Sequence, residues 1–78
     1  MQAKIKCDNM DMDRKQFATR LGQLREIKGF SAYELSQRIG KSLNYIHMVE
    51  NGKVNISLDV IFDIARELEI KPGELFAE

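Results

Sequence analysis

A chain of 78 residues, 44% hydrophobic and 31% charged, is enough for one folded domain with a small core and too short for a second domain or for walls around a substrate pocket. One cysteine and one histidine argue against an internal disulfide and a metal cluster, and with no signal peptide and no run of about 18 apolar residues the chain is expected to be cytoplasmic and away from membranes. A formal charge of zero argues against a uniformly basic nucleic-acid binder, so any phosphate-facing surface has to come from where the charges sit.

The first dozen residues, with Lys4, Lys6, Asp8 and Asp11 and few apolar side chains, read as a disordered leader over 1–12, and a folded domain is expected over 13–78. A first helix is predicted over about 13–28, where Phe17, Leu21, Leu24 and Lys28 recur at i, i+4, i+7 and i+11 and Gly29 stops the chain. Gly22 inside it costs on the order of 1 kcal/mol against alanine, which leaves two readings: an exposed, tolerated glycine or a close approach by another part of the backbone. A second helix is predicted over about 32–39, with the Ser31 hydroxyl and Glu34 forming a capping box and Leu35 and Ile39 facing inward.

Gly40 falls where that helix must end with a positive φ, and Ser42 offers a capping oxygen two residues later. A third helix is predicted over about 43–50, with Ile46 and Val49 as its apolar stripe and Asn51-Gly52 as its close. Two short helices this near each other cross steeply, which makes 32–51 a helix-turn-helix. A fourth helix over about 58–69 is capped by Ser57 and faces inward through Ile61, Ile64, Ala65 and Leu68. A short fifth one over about 72–76 opens with Pro72, whose missing amide hydrogen costs nothing in a first turn. The fold class is all-α, a compact five-helix bundle with no strand.

Charge is segregated along the chain. From Arg14 to Lys53 eight basic residues stand against Glu26, Glu34 and Glu50, whereas from Val54 onward two basic residues stand against six acidic ones. The first part can face phosphate and the second cannot, although solvated helix faces alone produce segregation of this size.

The segment from Ser31 to Gly52 resembles the phage repressor and Cro type of helix-turn-helix domain, the xenobiotic-response-element family. The likeness extends to Leu21, Leu24 and Arg25 before Gly29, to Glu50-Asn51-Gly52-Lys53, to Ser57-Leu58, Ile61, Ile64-Ala65 and Leu68, and to the closing run from Lys71 to Phe76. It implies the bundle of the lambda-repressor-like DNA-binding type, with the third helix in the major groove and the helix starts and turns gripping phosphates. On that footing Leu43, Asn44, Tyr45, His47 and Met48 take the base-contacting positions. Asn44 is the best direct reader, because its amide both donates and accepts and so matches an adenine edge. Tyr45 is open between a phosphate contact through its hydroxyl and packing of its ring.

Ala32, Tyr33, Lys41, Ser42, Asn51 and Lys53 take the phosphate-contacting positions, helped by the amides at the starts of the second and third helices. The resemblance also pairs Arg25 with Glu50 as a structural ion pair between the first and third helices. Three departures stand out: Ala32 replaces a glutamine common in relatives, Ser36 an alanine at the helix crossing, and Ile56 a proline. With no arginine, lysine or glutamine at the base-contacting positions, readout goes through shape and methyl groups or specificity is low.

A two-fold operator, with half-sites about 34 Å apart, implies a homodimer. Val60 and Phe62 on the flanks of the fourth helix, with Leu75 and Phe76 of the last, are the expected interface. No glycine-rich phosphate loop and no nucleophile with a positioned base is present, so neither an enzyme, a cofactor nor a small-molecule ligand is expected. The reading is a sequence-specific transcriptional regulator of double-stranded DNA, a repressor that works by occupying its operator. The alternative is an antitoxin-like or adaptor module that presents Leu43, Tyr45 and Met48 to another protein and reads bases weakly or not at all.

Overall fold

The computed structural model describes the backbone of residues 2–77 and the side chains of residues 14–77. Four α-helices and one 3-10 turn follow in order: α1 (Gln2–Ile27), α2 (Ala32–Arg38), α3 (Tyr45–Glu50), α4 (Leu58–Leu68) and the turn Pro72–Phe76. The described residues contain no strand. The expected fifth α-helix is thus a 3-10 turn, closed by i to i+3 bonds from the Glu74 amide to Lys71 O and from the Ala77 amide to Glu74 O. Five residues that include Pro72 and Gly73 are too few and too poor in helix formers to build an α-helical nucleus.

The expected leader also differs, since the backbone is helical from Gln2 onward and α1 is 26 residues long. No proline or glycine stands between Gln2 and Leu21, so nothing in the chain ends the helix before the buried part begins. The charges of the leader, Lys4, Lys6, Asp8 and Asp11, lie outside the described side chains.

All four α-helices end alike. In each, an amide reaches back to the carbonyl five residues earlier, as from Phe30 to Arg25, Lys41 to Ser36, Lys53 to Met48 and Ile70 to Ala65. This closure needs one residue with positive φ. Glycine supplies it in the first three, with φ of 83° at Gly29 and 75° at Gly40, whereas Glu69 supplies it after α4 with φ 58°. A side chain in that region costs about 1–2 kcal/mol, which α4 recovers through the rest of its packing.

The core is built from Leu21, Leu35, Ile46, Ile64, Leu68 and Leu75, all fully buried, with Phe17, Leu24, Val49, Val60 and Ile61 around them. At about 1.5–3 kcal/mol for each buried aliphatic side chain, this cluster is the main source of stability. Two of the expected interface residues belong to it: Val60 is 6% exposed and Leu75 not at all. Neither can form a dimer surface. α4 packs against both α2 and the 3-10 turn, so its buried face is wider than a single stripe and takes in Val60. The three-residue period of the turn points Leu75 inward while Phe76 faces out, where it stacks at 5.2 Å on the Phe17 ring.

Candidate nucleic-acid interface

α3 has only six residues, far below the length of about 12–15 at which an isolated helix becomes marginally stable, so its position depends on what holds it from outside. Ile46 and Val49 face the core, and this leaves Leu43, Asn44 and His47 exposed along one edge, with Tyr45 and Met48 half-buried beside them. Asn44 occupies the cap position, yet its side chain makes no capping bond. The Ser42 hydroxyl, expected to cap this helix, lies 3.5 Å from Asn44 Oδ1 instead, and it is the Ser42 carbonyl that receives the Tyr45 amide. The helix therefore begins two residues later than expected, after a tight i to i+3 turn.

The missing cap comes from α2. Ser36 is wholly buried, its hydroxyl donates to the Ala32 carbonyl at 2.8 Å, and its oxygen accepts the Ile46 amide at 2.9 Å. That amide belongs to the first turn of α3, where no carbonyl of its own helix can reach it. A serine of the preceding helix thus does for α3 what a local cap does elsewhere, and it also sets the spacing of the two helices. The role was hidden in the sequence, although a hydroxyl between the inward-facing Leu35 and Ile39 was a signal that a buried acceptor was needed. Ser36→Ala is expected to cost about 1–3 kcal/mol, because it strands a buried amide, and to appear as a lower urea midpoint with an unchanged slope. A midpoint equal to that of the parent would show the cap to be dispensable.

The other end of α3 is held by charge. Arg25 Nε donates to Glu50 Oε2 at 2.7 Å and Nη2 to Oε1 at 3.2 Å, while Nη1 donates to the Phe30 carbonyl at 2.8 Å. Both side chains are largely buried, and hydrogen bonding to Glu50 outweighs burial, which holds the guanidinium above its already high pKa. With all three nitrogens engaged inward, Arg25 braces α3 rather than reaching outward. The Glu50 carboxylate also covers Gly22: a Cβ there would lie 3.5 Å from Oε1, an ordinary contact, so the glycine sits beneath a side chain rather than against backbone and the space would accept an alanine.

The basic surface is smaller than the residue count suggested. Arg38 lies between Glu34 and Glu67 and over the Phe30 ring, and Arg20 donates to the Glu74 carbonyl. The Glu34 carboxylate goes to Arg38, so of the expected capping box it is the bond from the Glu34 amide to the Ser31 hydroxyl, at 2.9 Å, that the structure contains. Lys41 and Lys53 are exposed on either side of α3 and make no ion pair among the described residues. Lys41 Nζ rests 5.5 Å from the centre of the Tyr45 ring, which packs against the core, and burial pushes the Tyr45 phenol above its ordinary range.

Tyr33 is exposed at the start of α2, and Ala32, half-buried, spends its carbonyl on Ser36. Asn51, expected on phosphate, turns its amide nitrogen back to His47 instead, at 2.8 Å to the carbonyl and 3.1 Å to the ring. No group of three histidine, cysteine or acidic side chains able to hold a metal occurs among the described residues, and no described helix is long and apolar enough to cross a membrane.

Among curated proteins none matches the chain. Residues 21–75 match the profile of the helix-turn-helix family, a span that takes in the end of α1 from Leu21, all of α2, α3 and α4 and most of the closing turn. The chain is similar to the restriction-modification controller protein C.AhdI from Aeromonas hydrophila, at 40% identity and a TM-score of 0.78 over 83% of this chain and 98% of that one. It is also similar to the hypothetical transcription factor NHTF from Neisseria, at 29% identity and a TM-score of 0.78 over 83% of this chain and 75% of that one. With the geometry of α2 and α3, these matches place the chain in the Cro/C1-type helix-turn-helix family, and it is a DNA-binding transcriptional regulator.

Proposed function

We propose that this regulator is a repressor that occupies a two-fold operator as a homodimer, using residues 13–78 as one domain in the cytoplasm and needing no small-molecule ligand. The observation that carries the reading is the exposed edge of α3. Leu43 and Asn44 at the entry to α3 and His47 within it stand out from a helix that Ser36 and the Arg25–Glu50 pair hold at both ends, so that a small set of side chains is preorganised for one groove. Asn44 reads a base edge through its amide, Leu43 touches a thymine methyl, and His47 adds a polar contact, with Met48 behind them. Lys41 and Lys53, with Tyr33 and Ser42, contact the flanking phosphates. Phe62 and Phe76, 43% and 55% exposed, remain as the apolar dimer surface, and Leu58, 63% exposed one turn before Phe62, extends it. The likeness to a restriction-modification controller makes the genes of such a system the first candidate targets.

Selection of bound duplexes from a random pool at moderate salt, with wild type and Asn44→Ala in parallel, tests the reading. The wild type is expected to enrich a symmetric motif with an adenine that the variant no longer selects. Failure of folded wild-type protein to enrich any motif would remove the operator from the mechanism.

A further inference from the structure

His47 and Asn51 stand one helical turn apart at the end of α3, and their contacts define which hydrogen atoms are where. Asn51 Nδ2 lies 2.8 Å from the His47 carbonyl oxygen. A carbonyl only accepts, so the atom facing it is the amide nitrogen and not Oδ1, which settles the orientation of the Asn51 amide. The same nitrogen lies 3.1 Å from His47 Nε2. An amide nitrogen never accepts, so its second hydrogen goes to Nε2, which must carry a lone pair. An accepting Nε2 leaves Nδ1 as the ring's donor. No acceptor for that proton stands among the described residues, and His47 is exposed on the same edge of α3 as Asn44, three residues before it.

We infer that Asn51 is a positioning residue that locks His47 into the Nδ1–H form, so that His47 offers DNA a donor alone and selects a base presenting an acceptor in the major groove. Those acceptors are guanine N7 and O6, adenine N7 and thymine O4. An unlocked imidazole exchanges its proton between the two nitrogens and can donate or accept from either, which blurs discrimination. Occupying Nε2 removes the accepting option, and cytosine, whose major-groove edge carries only the N4 donor, is rejected. The inference rests on α3 being the base-reading helix and assigns the chemistry of one position within it.

Two measurements on the full chain test it. Nitrogen-15 NMR of the histidine ring at neutral pH is expected to show Nε2 unprotonated and Nδ1 protonated in the wild type, with the pattern shifting toward the Nε2–H form of free imidazole in Asn51→Ala. A protonated Nε2 in the wild type would overturn the lock, whatever the DNA results. Duplex selection with His47→Ala is expected to lose the preference at one base pair of each half-site and to lower affinity for the wild-type motif by about tenfold, at unchanged salt dependence. Asn51→Ala should flatten the same position with a smaller loss. Because His47 is exposed, its removal leaves the core intact, and a thermal melt of each variant verifies folding. A wild-type motif that His47→Ala leaves unaltered at every position would overturn the assignment of His47 while sparing the operator reading; no wild-type motif at all would overturn both.

Discussion

Glu50→Ala is expected to lower stability by about 3 kcal/mol, enough to bring the thermal midpoint down by on the order of 15 °C in a domain of this size. The reason lies in what is left behind. Glu50 receives two bonds from Arg25, and both side chains are mostly withdrawn from water, at 13% and 18% exposure. Removing the carboxylate leaves a mostly buried guanidinium with the Phe30 carbonyl as its remaining hydrogen-bond acceptor and the exposed Glu26 carboxylate 3.8 Å away, and opens space above Gly22. A small domain has a total stability of about 5–15 kcal/mol, so this single change consumes a large share of it. Glu50→Gln keeps one acceptor for the guanidinium and should fall between the two. The measurement is urea unfolding of the three proteins, and an alanine variant within about 0.5 kcal/mol of the parent would show that the pair adds nothing to the fold. DNA affinity measured well below the midpoint should fall as well, because α3 loses the brace at its end.

Lys41→Glu with Lys53→Glu should leave the fold intact and lower DNA affinity by on the order of a hundredfold or more at moderate salt. Both lysines are exposed and lack ion-pair partners among the described residues, so their reversal removes no packing. Each phosphate contact releases a counterion, which contributes about 0.9 to the slope of log affinity against log salt. Two contacts in each half of a dimer predict that the slope drops by about 4, equally for operator and unrelated duplexes. Fluorescence anisotropy titrations at several salt concentrations give both numbers. An unchanged slope would place the phosphate grip elsewhere, with Lys28, Arg14 and Lys15 next in line as basic residues without partners among those described. A protein docking site built on Leu43, Tyr45 and Met48 would instead show almost no salt dependence, which separates that reading from operator binding in the same experiment.

The two predictions touch one design. A recognition helix of six residues cannot stabilise itself, and three separate devices fix it: Ile46 and Val49 in the core, Ser36 at its first turn and Arg25–Glu50 at its last. The outward residues contribute little to the fold and are free to vary with the operator. The arrangement predicts that substitutions at Leu43, Asn44 and His47 alter binding without altering stability, whereas Ser36 and Glu50 alter both.

Much of this was readable along the chain, because helix ends and amphipathic faces are local. Ser31 and Ser57 cap their helices within three residues, Gly29, Gly40 and Gly52 end theirs, and Leu21, Leu24, Ile64 and Leu68 sit at a helical spacing that has only one inward solution. What depended on tertiary structure was the identity of partners across helices. Ser42 looked like the cap of α3, but the bond went to Ser36 ten residues away in sequence from Ile46. Val60 and Leu75 looked like surface until α2 and the closing turn covered them, and Arg38 counted toward the basic half of the chain until Glu34 and Glu67 stood beside it. A cap or a periodic face is determined within about four residues, so sequence contains it. Which side chain meets which across a helix crossing depends on the angle and depth of packing, and these are decided only when the whole core closes.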